Sequence, residues 1–179
     1  ASHKKPLVLS TGMATWQDIQ LAVNAAASVE NYEIALLQCT SLYPAPVGLS
    51  NLRAMKSMRD AFGLPVGYSD HTSGIEAAIL SVAFGARIIE KHFTIDNNYS
   101  DFHDHQLSSN PTEFKKMVVQ IRIAEKMLGS GKKIPTDLEL KSKQNIRRSI
   151  VVNRNLSAGH KIISEDLDWV RPGGGVRPG

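Results

Sequence analysis

The chain has 179 residues, of which 42% are hydrophobic and 21% charged, with a formal net charge of +4 and a single cysteine, Cys39. These values are typical of a globular protein with one good core and an appendage, and they exclude an internal disulfide. Because no apolar run approaches the roughly 18 to 20 residues of a membrane helix, we expect no membrane partner. The single cysteine favours a reducing cytoplasm, and we expect no signal peptide because the N-terminus passes straight into a strand-like run.

Four strand-and-helix units follow one another along most of the chain. Each unit joins a short apolar run, typical of a buried strand, to a segment whose apolar residues recur at helical spacing. This alternation predicts parallel strands joined by right-handed crossovers. Four units fit either a small open sheet or half of a (β/α)8 TIM barrel. The predicted strands cover residues 7–11, 34–39, 66–69 and 86–93.

The helices of these units carry recognisable start and stop signals. Thr15 can cap the first helix at its amino end. The helix after the fourth strand has the clearest signals, with Asn110 as its cap, Pro111 at the first helical position and Glu113 as the acid of a capping box. Gly129 is predicted to end that helix.

The remainder of the chain differs in composition. Residues 130–148 are polar and rich in lysine, and we predict a linker there. A small β-rich module is predicted over 149–179, with strands at 149–152 and 161–163 and one helical turn at 164–167.

The positive charge is concentrated in this last part of the chain. Residues 1–128 carry a net charge of −1, whereas residues 129–179 carry +5. No aromatic residues are interleaved with this charge, so we do not expect a nucleic-acid partner, and an attraction for anionic small substrates explains it as well. Neither a GxGxxG motif nor a Walker loop occurs, so nucleotide binding is not supported.

Polar residues follow all four predicted strands at their carboxyl ends, where ligands gather in both candidate architectures. Glu90 and His92 share one face of the fourth strand, because side chains alternate along a strand. Ser69 and His71 share a face at the end of the third strand. Such groups on a buried strand cost free energy unless they are paired or bind something.

Two histidines at the ends of neighbouring strands, His71 and His92, could reach one metal ion and leave coordination positions open for substrate and water. Their spacing fits two satisfied core or loop histidines equally well. His103 and His105 lie in a polar loop, which favours solvated side chains over metal ligands. Cys39 has no local base and is interpreted as a buried strand residue.

Five segments, in order, resemble the sialic acid synthase family, which includes N-acetylneuraminate, legionaminate and pseudaminate synthases. The resemblance implies that residues 1–129 are the second half of a (β/α)8 barrel and that residues 149–179 begin a C-terminal antifreeze-like (SAF) domain. The segments are KPLVLSTGM at 5–13, QCTSLYP at 38–44, GYSDHT at 67–72, IEKHFT at 89–94 and the tail at 148–175.

The resemblance also implies an activity. It is the condensation of phosphoenolpyruvate with N-acetylmannosamine or a related N-acyl hexose, which gives a nine-carbon 2-keto sugar acid and phosphate. A divalent ion, Mn or Mg, is implied at His71 and His92, and both histidines and Glu90 would be catalytic. Arg171 would reach the sugar of the partner subunit, so a domain-exchanged homodimer is implied. The substrate contacts implied are Ser10, Ser41 and Ser69 for phosphoenolpyruvate, and Tyr43, Glu90, Asp104 and Arg171 for the sugar.

Two departures from the family pattern limit what the resemblance implies. Phe102 and His103 stand where many members have Gly-Pro, which leaves the sugar open. The first four barrel strands of the family have no counterpart in the chain, so we expect weak or no activity from the chain alone. Two alternatives stay open: a non-catalytic half barrel that binds metal or sugar, and an unrelated open α/β domain with Asp70 as a phosphoacceptor.

Overall fold

A computed structural model describes residues 5–171 and 174–176, without the side chains of His103 and Gln144. The chain divides into two compact units, Ala1–Ser130 and Gly131–Gly179. The side chain of His103, which was expected to be solvated, lies outside the described part of the chain. Residues 172–173 and 177–179 of the predicted β-rich module also lie outside it.

The first unit is a four-stranded parallel sheet whose strands are adjacent in chain order. This confirms the predicted parallel arrangement. The fourth strand is shorter than predicted, because it pairs with its neighbour only from Tyr68↔Ile89 to Asp70↔Lys91. The strands are β1 Leu7–Ser10, β2 Ile34–Cys39, β3 Val66–Asp70 and β4 Ile89–Lys91; the helices are α1 Trp16–Ala27, α2 Ala54–Phe62, α3 Glu76–Ala83, α4 His103–Leu107 and α5 Pro111–Leu128.

The hydrophobic core lies on one face of this sheet. Leu36 of β2 and Tyr68 of β3 point to that face and pack with Met55 and Met58 of α2 and with Ile19 of α1. The opposite face is open at its β1 edge, where Val8 is 47% exposed, whereas Leu37 of β2 on the same face is buried. A sheet with sequential parallel strands and helices packed on one face is the arrangement of half a barrel, so the structure decides between the two architectures that the sequence left open.

The predicted Thr15 cap of α1 and the predicted capping box of α5 are both present. The Thr15 side chain accepts from the Asp18 N–H at the start of α1, and the Asn110 side chain accepts from the Glu113 N–H at the start of α5. Pro111 occupies the first turn of α5 as predicted, where its missing N–H has no intrahelical partner to lose. In the described part of the chain no helix is both long and apolar enough to span a bilayer.

The second unit differs from its prediction in two places. A helix, α6 Asp137–Ile146, forms within the segment predicted to be a linker. The strand predicted at 161–163 is wrong: β5 Ser149–Val152 pairs antiparallel with β6 Leu167–Val170 instead. A helical turn at Ser164–Asp166 is present as predicted, and it brings β6 back beside β5.

Asp166 has a fully buried carboxylate that hydrogen-bonds to several residues of the loop between β5 and β6. It accepts hydrogen bonds from His160 Nε2 at 2.7 Å, from Arg154 Nε at 2.9 Å and from the Ile163 N–H at 3.1 Å. These bonds hold the pKa of Asp166 well below its ordinary value, and the bond from His160 contributes most.

Replacing Asp166 by asparagine is expected to destabilise the second unit at pH 7. Because the folded-state pKa is depressed, the carboxylate stabilises the fold above the unfolded pKa of about 3.9, and this contribution is lost as pH falls below that value. Hydrogen exchange of the β5 and β6 amides measures the effect, which should shrink on acidification. Asp168→Asn, at an exposed position of β6, is the control; equal protection in both variants would contradict the role of Asp166.

Candidate functional site

The open face of the sheet carries a row of polar side chains at the carboxyl ends of the strands. The register places Cys39 beside Ser69 and Ser69 beside Glu90. Ser69 Oγ donates a hydrogen bond to Glu90 Oε1 at 2.7 Å. Two of the predicted site residues, on neighbouring strands, are therefore in direct contact.

The two histidines lie where β3 and β4 end. His71 directly follows Asp70, the last residue of β3, and His92 directly follows Lys91, the last residue of β4. Their ring centroids are 5.2 Å apart. His71 is buried, whereas the side chain of His92 is 32% exposed. The structure thus brings together the two imidazoles that the sequence placed on separate strand ends.

A backbone carbonyl fixes the orientation of the His71 ring. Its Nδ1 lies 2.9 Å from the carbonyl oxygen of Thr40, just beyond β2. Because a carbonyl only accepts, Nδ1 carries the hydrogen and donates it, and Nε2 keeps its lone pair. A ring held in this tautomer by an outer hydrogen bond is typical of metal-binding histidines.

Tyr43 packs against both imidazoles. Its ring centroid lies 4.2 Å from that of His71 and 5.7 Å from that of His92. Burial raises the pKa of Tyr43, and the negative charges nearby, including Asp104, raise it further. The phenol therefore stays protonated at neutral pH and can donate a hydrogen bond.

Asp104 reaches the site from helix α4, in the loop after β4. Its Oδ2 lies 4.0 Å from His92 Nδ1. The loop folds back because the Ser109 N–H donates to the His92 carbonyl at 2.9 Å. His105, next to Asp104, is engaged elsewhere, with Nδ1 2.9 Å from the Thr94 hydroxyl.

The two other serines lie towards the β1 side of the sheet. Ser10 is the last residue of β1 and is exposed. Ser41 approaches the turn that follows β1, since a Cβ added to Gly12 would lie 2.0 Å from Ser41 Oγ. A glycine at position 12 is what leaves room for this hydroxyl. Arg171, the remaining predicted site residue, is exposed in the second unit.

Within the described residues, the two imidazoles are the side chains that could serve as metal ligands at the strand ends. Among the described residues no group of three or more His, Cys, Asp or Glu side chains could hold an ion. Two nitrogen ligands, with Nε2 of His71 directed away from Thr40, fit a divalent ion that keeps several positions for water and substrate oxygens.

A buried ion pair, which was not predicted from the sequence, lies behind the site. Lys91 Nζ lies 3.0 Å from Asp70 Oδ2, and the two side chains are 1% and 0% exposed. The signal was available, because each residue precedes one of the histidines and alternation turns it to the opposite face. Enclosed in this way, Asp70 is not an accessible phosphoacceptor, and that alternative is wrong.

The chain is similar to known proteins over most of its length. The chain is 46% identical over 183 residues to the N,N'-diacetyllegionaminic acid synthase of Legionella pneumophila, a match of 99% of this chain and 51% of that protein. It is 36% identical over 180 residues to the pseudaminic acid synthase of Campylobacter jejuni, with 99% and 51% covered. The crystal structure of an N-acetylneuraminic acid synthetase from Leptospira borgpetersenii superposes with a TM-score of 0.72 at 36% identity, covering 78% of this chain and 48% of that one.

The chain spans about half the length of the curated relatives it matches. A profile of the NeuB family matches residues 1–133, a segment that contains all four strands of the sheet and both histidines. This chain belongs to the NeuB family.

Proposed function

We propose that this chain supplies the metal-bearing half of a (β/α)8 synthase barrel that condenses phosphoenolpyruvate with N-acetylmannosamine or a related N-acyl hexose. The products would be a nine-carbon 2-keto sugar acid and phosphate. The relatives named above are sugar-acid synthases, and each contains about as much chain again.

The observation that carries this proposal is the pair of imidazoles at the strand ends. Their ring centroids are 5.2 Å apart, and Thr40 holds His71 with its Nε2 available as a ligand. We propose Mn or Mg as the ion, since a divalent ion with open positions suits an oxygen-rich substrate. A divalent ion held there would polarise the sugar aldehyde as a Lewis acid.

The side chains around the histidines suit the remaining chemistry. C3 of phosphoenolpyruvate would form the new bond to the aldehyde carbon, whose oxygen takes up a proton, while water adds at C2 and phosphate leaves. Glu90 would orient the sugar or move that proton, and Tyr43 and Asp104 would hold sugar hydroxyls. Ser10, Ser41 and Ser69 would donate to the phosphate or carboxylate of phosphoenolpyruvate.

The second unit has a separate part in the proposal. We propose that residues 149–179 begin an antifreeze-like domain, and that Arg171 contacts the sugar in the other subunit of a domain-exchanged homodimer. The arginine suits this contact because its guanidinium presents several donors to sugar oxygens or to a carboxylate.

A chimera tests the activity. This chain would replace the matching half of the Legionella pneumophila synthase, and phosphate release from phosphoenolpyruvate with that enzyme's own sugar would be measured with and without Mn²⁺. We expect metal-dependent turnover, and Glu90→Gln should lower kcat by about 100-fold.

Glu125→Gln is the matched control for Glu90→Gln. Glu125 lies on the exposed surface of α5, paired with Arg122 at 2.8 Å, so this chimera should keep its turnover. A chimera that folds like the parent enzyme yet releases no phosphate would favour the alternative, a half barrel without catalytic competence.

A further inference from the structure

Asp70 and Lys91 form a buried ion pair on the helix-facing side of the sheet. Register pairs the two residues directly, and their side chains are 0% and 1% exposed. Charged side chains are rarely enclosed to this degree, and a pair of them is weak evidence for stability, because well-packed apolar residues often serve as well. Another role therefore has to explain the pair.

The hydrogen bonds of this pair involve the residues immediately before and after His71, which are Asp70 and Thr72. Asp70 Oδ1 accepts from the Thr72 N–H at 2.9 Å and from the Thr72 hydroxyl at 2.8 Å. Asp70 Oδ2 accepts from Lys91 Nζ at 3.0 Å, and the same ammonium group donates to the Thr72 carbonyl. Lys91 therefore donates hydrogen bonds to both of the residues that flank His71 in the chain.

The same lysine is the chain neighbour of His92. Both histidines lie one residue beyond the last paired positions of β3 and β4, so the sheet ladder no longer fixes their backbones. Two loop contacts also hold these backbones: the Ala45 N–H donates to the His71 carbonyl and the Ser109 N–H donates to the His92 carbonyl, both at 2.9 Å. The Asp70–Lys91 pair links the two strand ends on the helix-facing side of the sheet, and the Ser69–Glu90 hydrogen bond links them on the other face.

We propose that Asp70 and Lys91 are a positioning pair, which sets the separation and orientation of the His71 and His92 imidazoles from the opposite face of the sheet. Neither residue faces the imidazoles, and both act through the backbone. The inference rests on the proposed function in so far as these imidazoles bind a metal ion.

Two variants separate positioning from stability. Lys91→Met alone leaves a buried carboxylate without its partner and is expected to lower the midpoint of thermal unfolding. The double variant Asp70→Asn, Lys91→Met removes both charges, keeps an acceptor for the Thr72 N–H and fills the volume of the lysine stem. Although the Thr72 carbonyl loses its donor, this variant should unfold at a higher temperature than Lys91→Met alone.

The Mn²⁺ dissociation constant of the metal-free chain would be measured by titration, with free Mn²⁺ detected by electron paramagnetic resonance. Changes behind a metal ligand typically weaken binding 10- to 100-fold, so we expect at least about 10-fold for the double variant. Lys56→Met, at an exposed pair with Asp60, is the matched control and should change it less than about two-fold. Wild-type Mn²⁺ affinity in a stable double variant would overturn the proposal.

A metal-independent measurement distinguishes failure of this inference from failure of the proposed function. Imidazole nitrogen chemical shifts of the metal-free wild type should show His71 with its hydrogen fixed on Nδ1, as the Thr40 contact requires. In the double variant we expect averaged tautomers and shifted signals for both histidines. Unchanged imidazole spectra would overturn the positioning role, even if the wild type bound no Mn²⁺ and the metal site itself were refuted.

Discussion

Replacing His92 by alanine is expected to weaken Mn²⁺ binding by at least about 100-fold, more than the 10- to 100-fold typical of outer-shell changes. The reason is the small donor set: within the described residues no three His, Cys, Asp or Glu side chains form a group that could hold an ion, which leaves the two imidazoles as the ligands. His71→Ala should have the same effect, because either change leaves a single protein ligand. Titration of the metal-free chain with detection of free Mn²⁺ measures both.

His160→Ala is the control for these two variants. His160 belongs to the second unit and contacts Asp166 there, so its loss should leave Mn²⁺ affinity unchanged while lowering the stability of that unit. If His160→Ala weakened Mn²⁺ binding as much as His92→Ala, the metal would be bound by accessible histidines in general, and the assignment to the strand ends would fail.

Replacing Gly67 by alanine is expected to lower the free energy of unfolding by about 1–3 kcal/mol, the usual range for overpacking in a core. A Cβ added there would lie 2.3 Å from the Ile88 carbonyl oxygen and 2.5 Å from Leu37 Cδ2. The first of these atoms belongs to the backbone and accepts from the Tyr68 N–H, so the start of β4 has to move away from β3. Urea unfolding of the chain measures the loss.

Gly48→Ala is the matched control, because a Cβ at that position meets no atom within 4 Å. It should change the free energy of unfolding by less than about 0.5 kcal/mol, as surface substitutions usually do. If the two variants had equal free energies of unfolding, the backbone at Ile88 would move aside without a loss of stability, and this prediction would be wrong. We also expect Gly67→Ala to weaken Mn²⁺ binding, since His92 is carried by the strand that is displaced.

Much of the fold could be predicted because its signals are local in the chain. Asn110, Pro111 and Glu113 start α5 through contacts within four residues, and the structure has the same capping box. Alternation along β4 placed Glu90 and His92 on one face, and the polar strand ends indicated where the site lies. The parallel order of the strands followed from the repeated units.

Other features could not be predicted because distant segments decide them. The strand predicted at 161–163 has a suitable composition, but β5 pairs with β6 Leu167–Val170, and a strand exists only where a partner supplies its hydrogen bonds. Likewise, β4 extends only as far as its register with β3 allows.

The sequence by itself determined the order of the strands and helices, the polar residues at the strand ends and the family to which they belong, since these depend on residue types and their spacing. The tertiary structure alone decided that the His71 and His92 imidazoles meet, that Thr40 selects the tautomer of His71, and that Lys91 spans from Asp70 to Thr72 behind them. Each of these contacts joins residues about 20 or more positions apart, and the geometry of such contacts is set by packing and register rather than by local preference.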